Sequence, residues 1–331
     1  FITSLGVIEF SDHIFLKVYS ENGDFGWGEC APTHDINGET IETCLAVSKQ
    51  LTDSIIGISC YSHNLIYEKL NSVIYGHQSI KSAIDIACYD LASKSKKLPL
   101  YNYLGGKINK KIYTDYTVSL NDVDKMVEQA EQIVKKGFKI IKVKLGDNGK
   151  KDIERIKHIR KCIGDDKQIR IDANQGWNIE EAIDTLKNID KYNIEYCEEP
   201  INRNLSFRLN EVKESSPVKI MADESLFTSY DAEMMVHGNH CDMFNLKIGK
   251  HGGLFETKKI VSIAEENNIP MQVGGFIESK IIFTVNCHLG HTSNLIKYFD
   301  CDSPLFHELN PIVGGLEYKN DWELSLPNLN G

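Results

Sequence analysis

From Ile112 onward the chain repeats one kind of event. Short runs rich in β-branched residues begin near Ile112, Lys139, Gln168, Ile194, Val218, Cys241, Pro270 and Leu295, at intervals of 23 to 29 residues. Most are separated by a stretch whose apolar residues recur at helical spacing, clearest over 123–136 and 254–267. Eight strands alternating with helices at this period point to a parallel β/α barrel. A doubly wound open sheet is the structural alternative, but its usual count is about five or six strands. After the eighth run the chain turns at Pro304 and continues in a Gly/Pro/Asn-rich tail with no clear eighth helix. The barrel is therefore expected over 107–304, with 305–331 leaving it to return to the preceding domain.

That preceding domain, 1–106, has a different texture. Residues 13–19 alternate toward an Asn22-Gly23 turn and 25–30 return, the pattern of a β-hairpin. Helical stretches follow over 39–52, 62–73 and 79–96, the last burying Ala83, Ile84, Ala87, Cys88 and Leu91 on one face. Gly105-Gly106 marks the boundary. Composition narrows the function. A net charge of −10 with no basic cluster beside aromatic platforms is the wrong balance for nucleic acid. The apolar runs, such as 281–285, fall far short of the roughly 20 residues of a membrane span. Nine scattered cysteines without a C-x-x-C pair signal neither zinc nor a disulfide framework and fit a reducing, cytoplasmic compartment.

Strands of a barrel point alternate residues inward, and the middle layers are expected to be apolar, so charged residues at i and i+2 near a C-terminal strand end share the mouth. Such ends recur: Lys142-Val143-Lys144, Asp172-Ala173-Asn174, Glu198-Glu199-Pro200, Asp223-Glu224-Ser225, Asn245-Leu246-Lys247, Glu278, and Asp300-Cys301-Asp302. One such pair is ordinarily a solvated strand end; seven in succession are not. Asp172, Glu198 and Asp223 on three consecutive strands offer three carboxylate oxygens, a donor set that suits a hard cation, Mg²⁺. Lys144 and Lys247 fall on strands two and six, opposite one another in an eight-stranded ring. A metal between two lysines suits removal of a proton from one face of a carbon acid and its return on the other, with the developing enediolate stabilised electrostatically. Lys142 is the neighbouring cation that would help lower a base's pKa. Alternatively, the lysines are counter-ions of the acidic trio.

These motifs, continued by Lys247-Ile248-Gly249-Lys250-His251-Gly252-Gly253 and preceded by Gly26-Trp27-Gly28-Glu29 and Ala83-Ile84-Asp85-Ile86-Ala87, resemble the muconate-lactonizing subgroup of the enolase superfamily. The resemblance covers nearly the whole chain. It implies a capping α+β domain on a (β/α)7β TIM-type barrel, with a first strand expected before Phe1. It further implies one Mg²⁺ per subunit on Asp172, Glu198 and Asp223, with Lys144 and Lys247 as catalytic bases and a homo-oligomer. Asp300-Cys301-Asp302-Ser303-Pro304 is similar to the Asp-x-Asp of dipeptide epimerases, where the aspartates hold the substrate's α-ammonium; Ser303 departs from the usual Gly. The substrate contacts expected are Lys142, Asn174, Glu278, Asp300 and Asp302. The activity implied is epimerisation of L-Ala-L-X dipeptides at the second residue's α-carbon. In Ala-Glu epimerases an Arg of the capping domain contacts the distal carboxylate; the matching position here is Gly6, so a permissive enzyme accepting Glu among several X is expected.

Other readings fit these residues less well. An N-acylamino-acid racemase or an o-succinylbenzoate synthase or other cycloisomerase of the same subgroup would leave Asp300 and Asp302 without an ammonium to hold. A non-catalytic dipeptide-binding barrel would not need both lysines and all three carboxylates. Gly26-x-Gly28-x-x-Ala31 fits a dinucleotide fingerprint in form only, because Pro32 follows at once and no helix opens on the glycines.

Overall fold

The Gly26-Trp27-Gly28-Glu29 motif shows how the first domain is assembled in a computed structural model describing residues 1–108, 110–327 and 329–331. Strand Ile14–Tyr19 pairs antiparallel with Phe25–Cys30, with Tyr19 opposite Phe25. Helix Gln78–Ser95 lies directly on the second strand. A Cβ at Gly26 would stand 1.9 Å from the Ala87 carbonyl oxygen, and one at Gly28 1.9 Å from that of Ala83. The glycines thus serve close backbone approach. Helices Ile41–Ile55 and His63–Val73 complete a core around Leu51, Ile66, Leu70, Ile80 and Ile84.

The second domain is an eight-stranded parallel sheet in sequence order. Its strands, one to eight, are Tyr116–Val118, Ile140–Lys144, Gln168–Asp172, Ile194–Glu198, Ile220–Ala222, Met243–Leu246, Met271–Val273 and Ile296–Phe299. The Asp115 amide donates to the Phe299 carbonyl at 3.3 Å, bringing the first and eighth strands together. Helices such as Val123–Lys135 and Leu254–Glu266 turn apolar faces onto the outside of the sheet.

Two sequence expectations need correction. The run at Ile112 is not barrel strand one. Ile112–Tyr113 pairs with Glu323–Ser325, which pairs with Glu317–Tyr318, in a separate antiparallel sheet, and the barrel strand starts at Tyr116. The interior of the barrel is also not apolar. Lys142, Arg170, Tyr196, Asn245 and Gln272 are buried at its middle level. They are satisfied by one another and by acids: Arg170 Nη1 donates to Asp115 Oδ2 at 2.8 Å, Tyr196 Oη donates to Gln272, and Gln272 Nε2 reaches Glu198 at 3.3 Å. Polar groups removed from water persist only when partnered in this way. The tail also meets the first domain: Gly331 donates to the Leu98 carbonyl and accepts from the Leu100 amide, both at 3.1 Å. Among the described residues no helix is long and apolar enough to cross a membrane.

Candidate active site

Strand register builds the floor of the site. Lys144 lies beside Asp172, and Asp172 beside Glu198, so the ends of strands two, three and four present one row of charge. Asp223 directly follows strand five and Lys247 directly follows strand six. Lys144 Nζ is 2.5 Å from Asp172 Oδ2, and Lys247 Nζ is 2.6 Å from Asp223 Oδ2. The two lysines therefore sit at opposite ends of the carboxylate trio. Lys142 lies between, 3.2 Å from Asp172, 2.8 Å from Glu198 and 2.7 Å from Asp300. Lys250, on which the sequence reading placed no role, bonds Asp223 Oδ1 at 2.6 Å and is wholly buried. Its spacing from Lys247, one turn of the helix Ile248–His251, was the available signal.

Above this floor opens a cavity. Lys142, Lys144, Asn174, Glu224, Lys247, Asp300 and Asp302 line its base. Asn174, held at positive φ, donates to Glu224 Oε1 at 3.1 Å. Asp302 Oδ2 accepts from the Thr117 amide at 2.7 Å. Glu278 stands apart: its carboxylate accepts from the Phe276 amide and does not line the cavity, although Phe276 does. The walls are apolar, from Phe1, Leu5, Ile8, Ile36, Phe276 and Phe306, and the first domain adds the acid Asp35 but no cation. The hairpin Ile2–Thr3/Gly6–Val7 covers one side and is fastened by Ser4 Oγ, which donates to the carbonyls of Ala173 at 3.0 Å and Asn174 at 2.9 Å.

The electrostatics are crowded. Burial opposes charge on Lys142 and Lys247, yet Asp300, Glu198 and Asp172 around the first, and Asp223 and Glu198 around the second, hold both ammoniums above the ordinary lysine range. Burial likewise opposes Asp223, but Lys247 and Lys250 keep its carboxyl well below the usual range. Glu198 is pushed up to about 7 by burial and by the charge of Asp172, and Glu224 well above its usual value by burial and Asp223. Asp115, Asp172, Glu198, Glu199, Asp223, Glu224, Asp300 and Asp302 outnumber Lys142, Lys144, Arg170, Lys247 and Lys250, all of them buried. Asn174 Oδ1 and Glu224 Oε2 are buried acceptors without a donor. An oxygen-only donor set with negative charge in excess fits a hard divalent cation. A second group of oxygens, from Asp115, Asp300 and Asp302, lies within 4.8 Å of one another under the other side of the cavity.

Comparison with known proteins places this geometry among enzymes. Residues 1–105 match the family described as mandelate racemase/muconate lactonizing enzyme, N-terminal domain, and residues 125–331 match the enolase C-terminal domain-like family. A D-Ala-D/L-Ala epimerase from Cytophaga hutchinsonii is 43% identical over 100% of this chain and 90% of its own. A crystal structure of a dipeptide epimerase from the same organism, complexed with Mg and D-Ala-L-Val, superposes with a TM-score of 0.99 at 42% identity, covering 100% of this chain and 90% of that one. A substrate-liganded L-Ala-D/L-Glu epimerase from Bacillus subtilis gives 0.97 at 32% identity, over 100% and 93%. A dipeptide epimerase from Enterococcus faecalis, complexed with Mg and L-Leu-L-Tyr, gives 0.96 at 33%, over 100% and 94%.

Proposed function

Because this chain belongs to the mandelate racemase/muconate lactonizing enzyme group of the enolase superfamily and is a dipeptide epimerase, we propose that it acts on L-Ala-L-X dipeptides and inverts the second residue's α-carbon by passing a proton between Lys144 and Lys247. The observation that carries this reading is the placement of those two ammoniums at opposite ends of one carboxylate row, under a single cavity whose far side carries Asp300 and Asp302. Magnesium is the cofactor, and Asp172, Glu198 and Asp223 would hold it. Held there, it would supply positive charge to offset the charge that develops on the substrate and would lower the proton affinity of the lysines.

The chain's own groups do the rest. One lysine, neutral, takes the proton from one face of Cα; the other, charged, delivers one to the opposite face. Lys142 stays charged and keeps Asp172, Glu198 and Asp300 in register. Asp300 and Asp302 accept the substrate's ammonium, a charge-assisted contact that an acylated amine cannot make. The Phe1, Phe276 and Phe306 rings exclude water from the reacting carbon. The apolar walls favour small or apolar X, with Glu accepted less well because Asp35 faces the same cavity. The test is proton NMR of L-Ala-L-X and D-Ala-L-X with enzyme and Mg²⁺ in D₂O. The α-proton signal of X should disappear as the second diastereomer grows. Exchange on N-acetylated substrates at the same rate as on free dipeptides would move the protein to the N-acylamino-acid racemases, and no exchange on any substrate would leave a binding barrel.

A further inference from the structure

Asp115 has no part in the chemistry above, yet it is fully buried beside the groups that do. It precedes barrel strand one. Its Oδ2 accepts from Arg170 Nη1 at 2.8 Å, while its Oδ1 is buried with no hydrogen-bond donor. Oxygens of Asp115, Asp300 and Asp302 lie within 4.8 Å of one another. Three carboxylates so close need compensating charge. The structure supplies two cations: Lys142 on Asp300 at 2.7 Å and Arg170 on Asp115. Both are shared. Lys142 also serves Glu198, and Arg170 Nε bonds Glu195 at 2.8 Å. The third acid, Asp302, is held by a neutral donor, the Thr117 amide. Arg170 cannot swing to help it, because Nη1 also bonds the Phe299 carbonyl at 3.3 Å and the guanidinium lies over the rings of Tyr196 and Tyr298.

We infer that Asp115, held by Arg170, is a positioning residue that leaves the Asp300–Asp302 pair one positive charge short, so that the pair takes up the α-ammonium of the dipeptide. Asp115 does not line the cavity. It acts through its charge at short range in a buried site, where such charge is weakly screened. The inference rests on the proposed epimerase reading, in which Asp300 and Asp302 hold the ammonium.

The experiment compares the Mg²⁺-loaded wild type with Asp115→Asn on a free L-Ala-L-X dipeptide and its N-acetyl derivative. For the free dipeptide, KM should rise at least about tenfold while kcat stays within about threefold, the size of effect expected for a lost buried charge. For the acetylated substrate kcat/KM should be unchanged, so the preference for the free ammonium falls at least tenfold. The double variant Asp115→Asn/Arg170→Gln restores the local balance, two acids against Lys142, and should recover most of that preference. If the single variant does not fold, the double variant must by itself keep the wild-type preference. An unchanged preference in Asp115→Asn, an equal loss on both substrates, or a collapsed preference in the double variant overturns the inference. A wild type with no preference for the free dipeptide would instead sink the epimerase reading.

Discussion

Lys144 and Lys247 hold equivalent posts, each within 2.6 Å of a carboxylate of the trio, and that symmetry has a kinetic consequence. Lys144→Ala and Lys247→Ala should each stop epimerisation, with losses of about 10²–10⁴-fold, the usual worth of a general base. Each should still exchange the α-proton of one diastereomer in D₂O, and the two variants should spare opposite ones. A wild-type epimerisation rate in either would refute the two-base scheme. The trio makes a separate prediction that does not depend on turnover. Magnesium should raise the melting temperature of the wild type, as any ligand of the native state does. Asp223→Asn should abolish that rise, whereas Asp115→Asn should retain it. The reverse pattern would place the metal on the Asp115, Asp300 and Asp302 oxygens instead.

At the scale of elements, the glycine pair of Phe25–Cys30 matters as much as any charge. Gly28→Ala places a methyl group against the backbone of helix Gln78–Ser95 and should cost at least about 1–3 kcal/mol, read by urea unfolding, because neither backbone can yield without repacking. An unchanged midpoint would show that the strand and helix can separate at no cost. This contact also explains what could be read in the sequence. The helix announced itself through its small buried residues, and the glycines were visible, but which backbone they approached was not. The barrel was legible because its strands are β-branched and its helices amphipathic. Its first strand was misplaced because Ile112–Tyr113 and Tyr116–Val118 are equally strand-like, and only the distant Glu323–Ser325 decides which one leaves the barrel. The mouth was legible because charge at strand ends is exceptional. Arg170 was missed because it sits at the middle level, where an apolar layer was expected, and Asp115 because it precedes strand one, away from the strand ends that form the mouth. Glu278 shares the pattern of the others yet turns back onto the Phe276 amide, a local bond that no spacing reveals.

The whole molecule divides labour: the barrel carries the charged floor, and the first domain closes the cavity with apolar residues and Asp35. The two are fastened at several points. Glu29 accepts from the Ser279 amide and hydroxyl, both at 2.7 Å, at the start of helix Lys280–Gly290, and Asp85 accepts from the Phe255 amide at 3.2 Å. Ser4 ties the covering hairpin to the end of strand three. Specificity for X can therefore change in the first domain without disturbing the lysines. Gly6, where a carboxylate-binding cation would be expected in an Ala-Glu epimerase, has no side chain, and a Cβ there would meet nothing within 4 Å. The positive charges that line the cavity are Lys142, Lys144 and Lys247, all at its floor. Apolar walls discriminate by about 1–3 kcal/mol per methylene, so rates across X should be graded. Acidic X meets Asp35 and should be among the slowest. Asp35→Asn removes that repulsion, and Asp35→Lys supplies the missing cation. Across a panel varying only X, kcat/KM for Glu relative to Ala should rise in the order wild type, Asp35→Asn, Asp35→Lys, by at least about tenfold overall, as close charges at a partly screened site allow. Rates for X = Ala should change little, since Lys144 and Lys247 are untouched. A wild type confined to X = Glu, with others a thousandfold slower, or an Asp35→Lys variant with no gain on Glu, would show that the distal side chain is read elsewhere in the cavity.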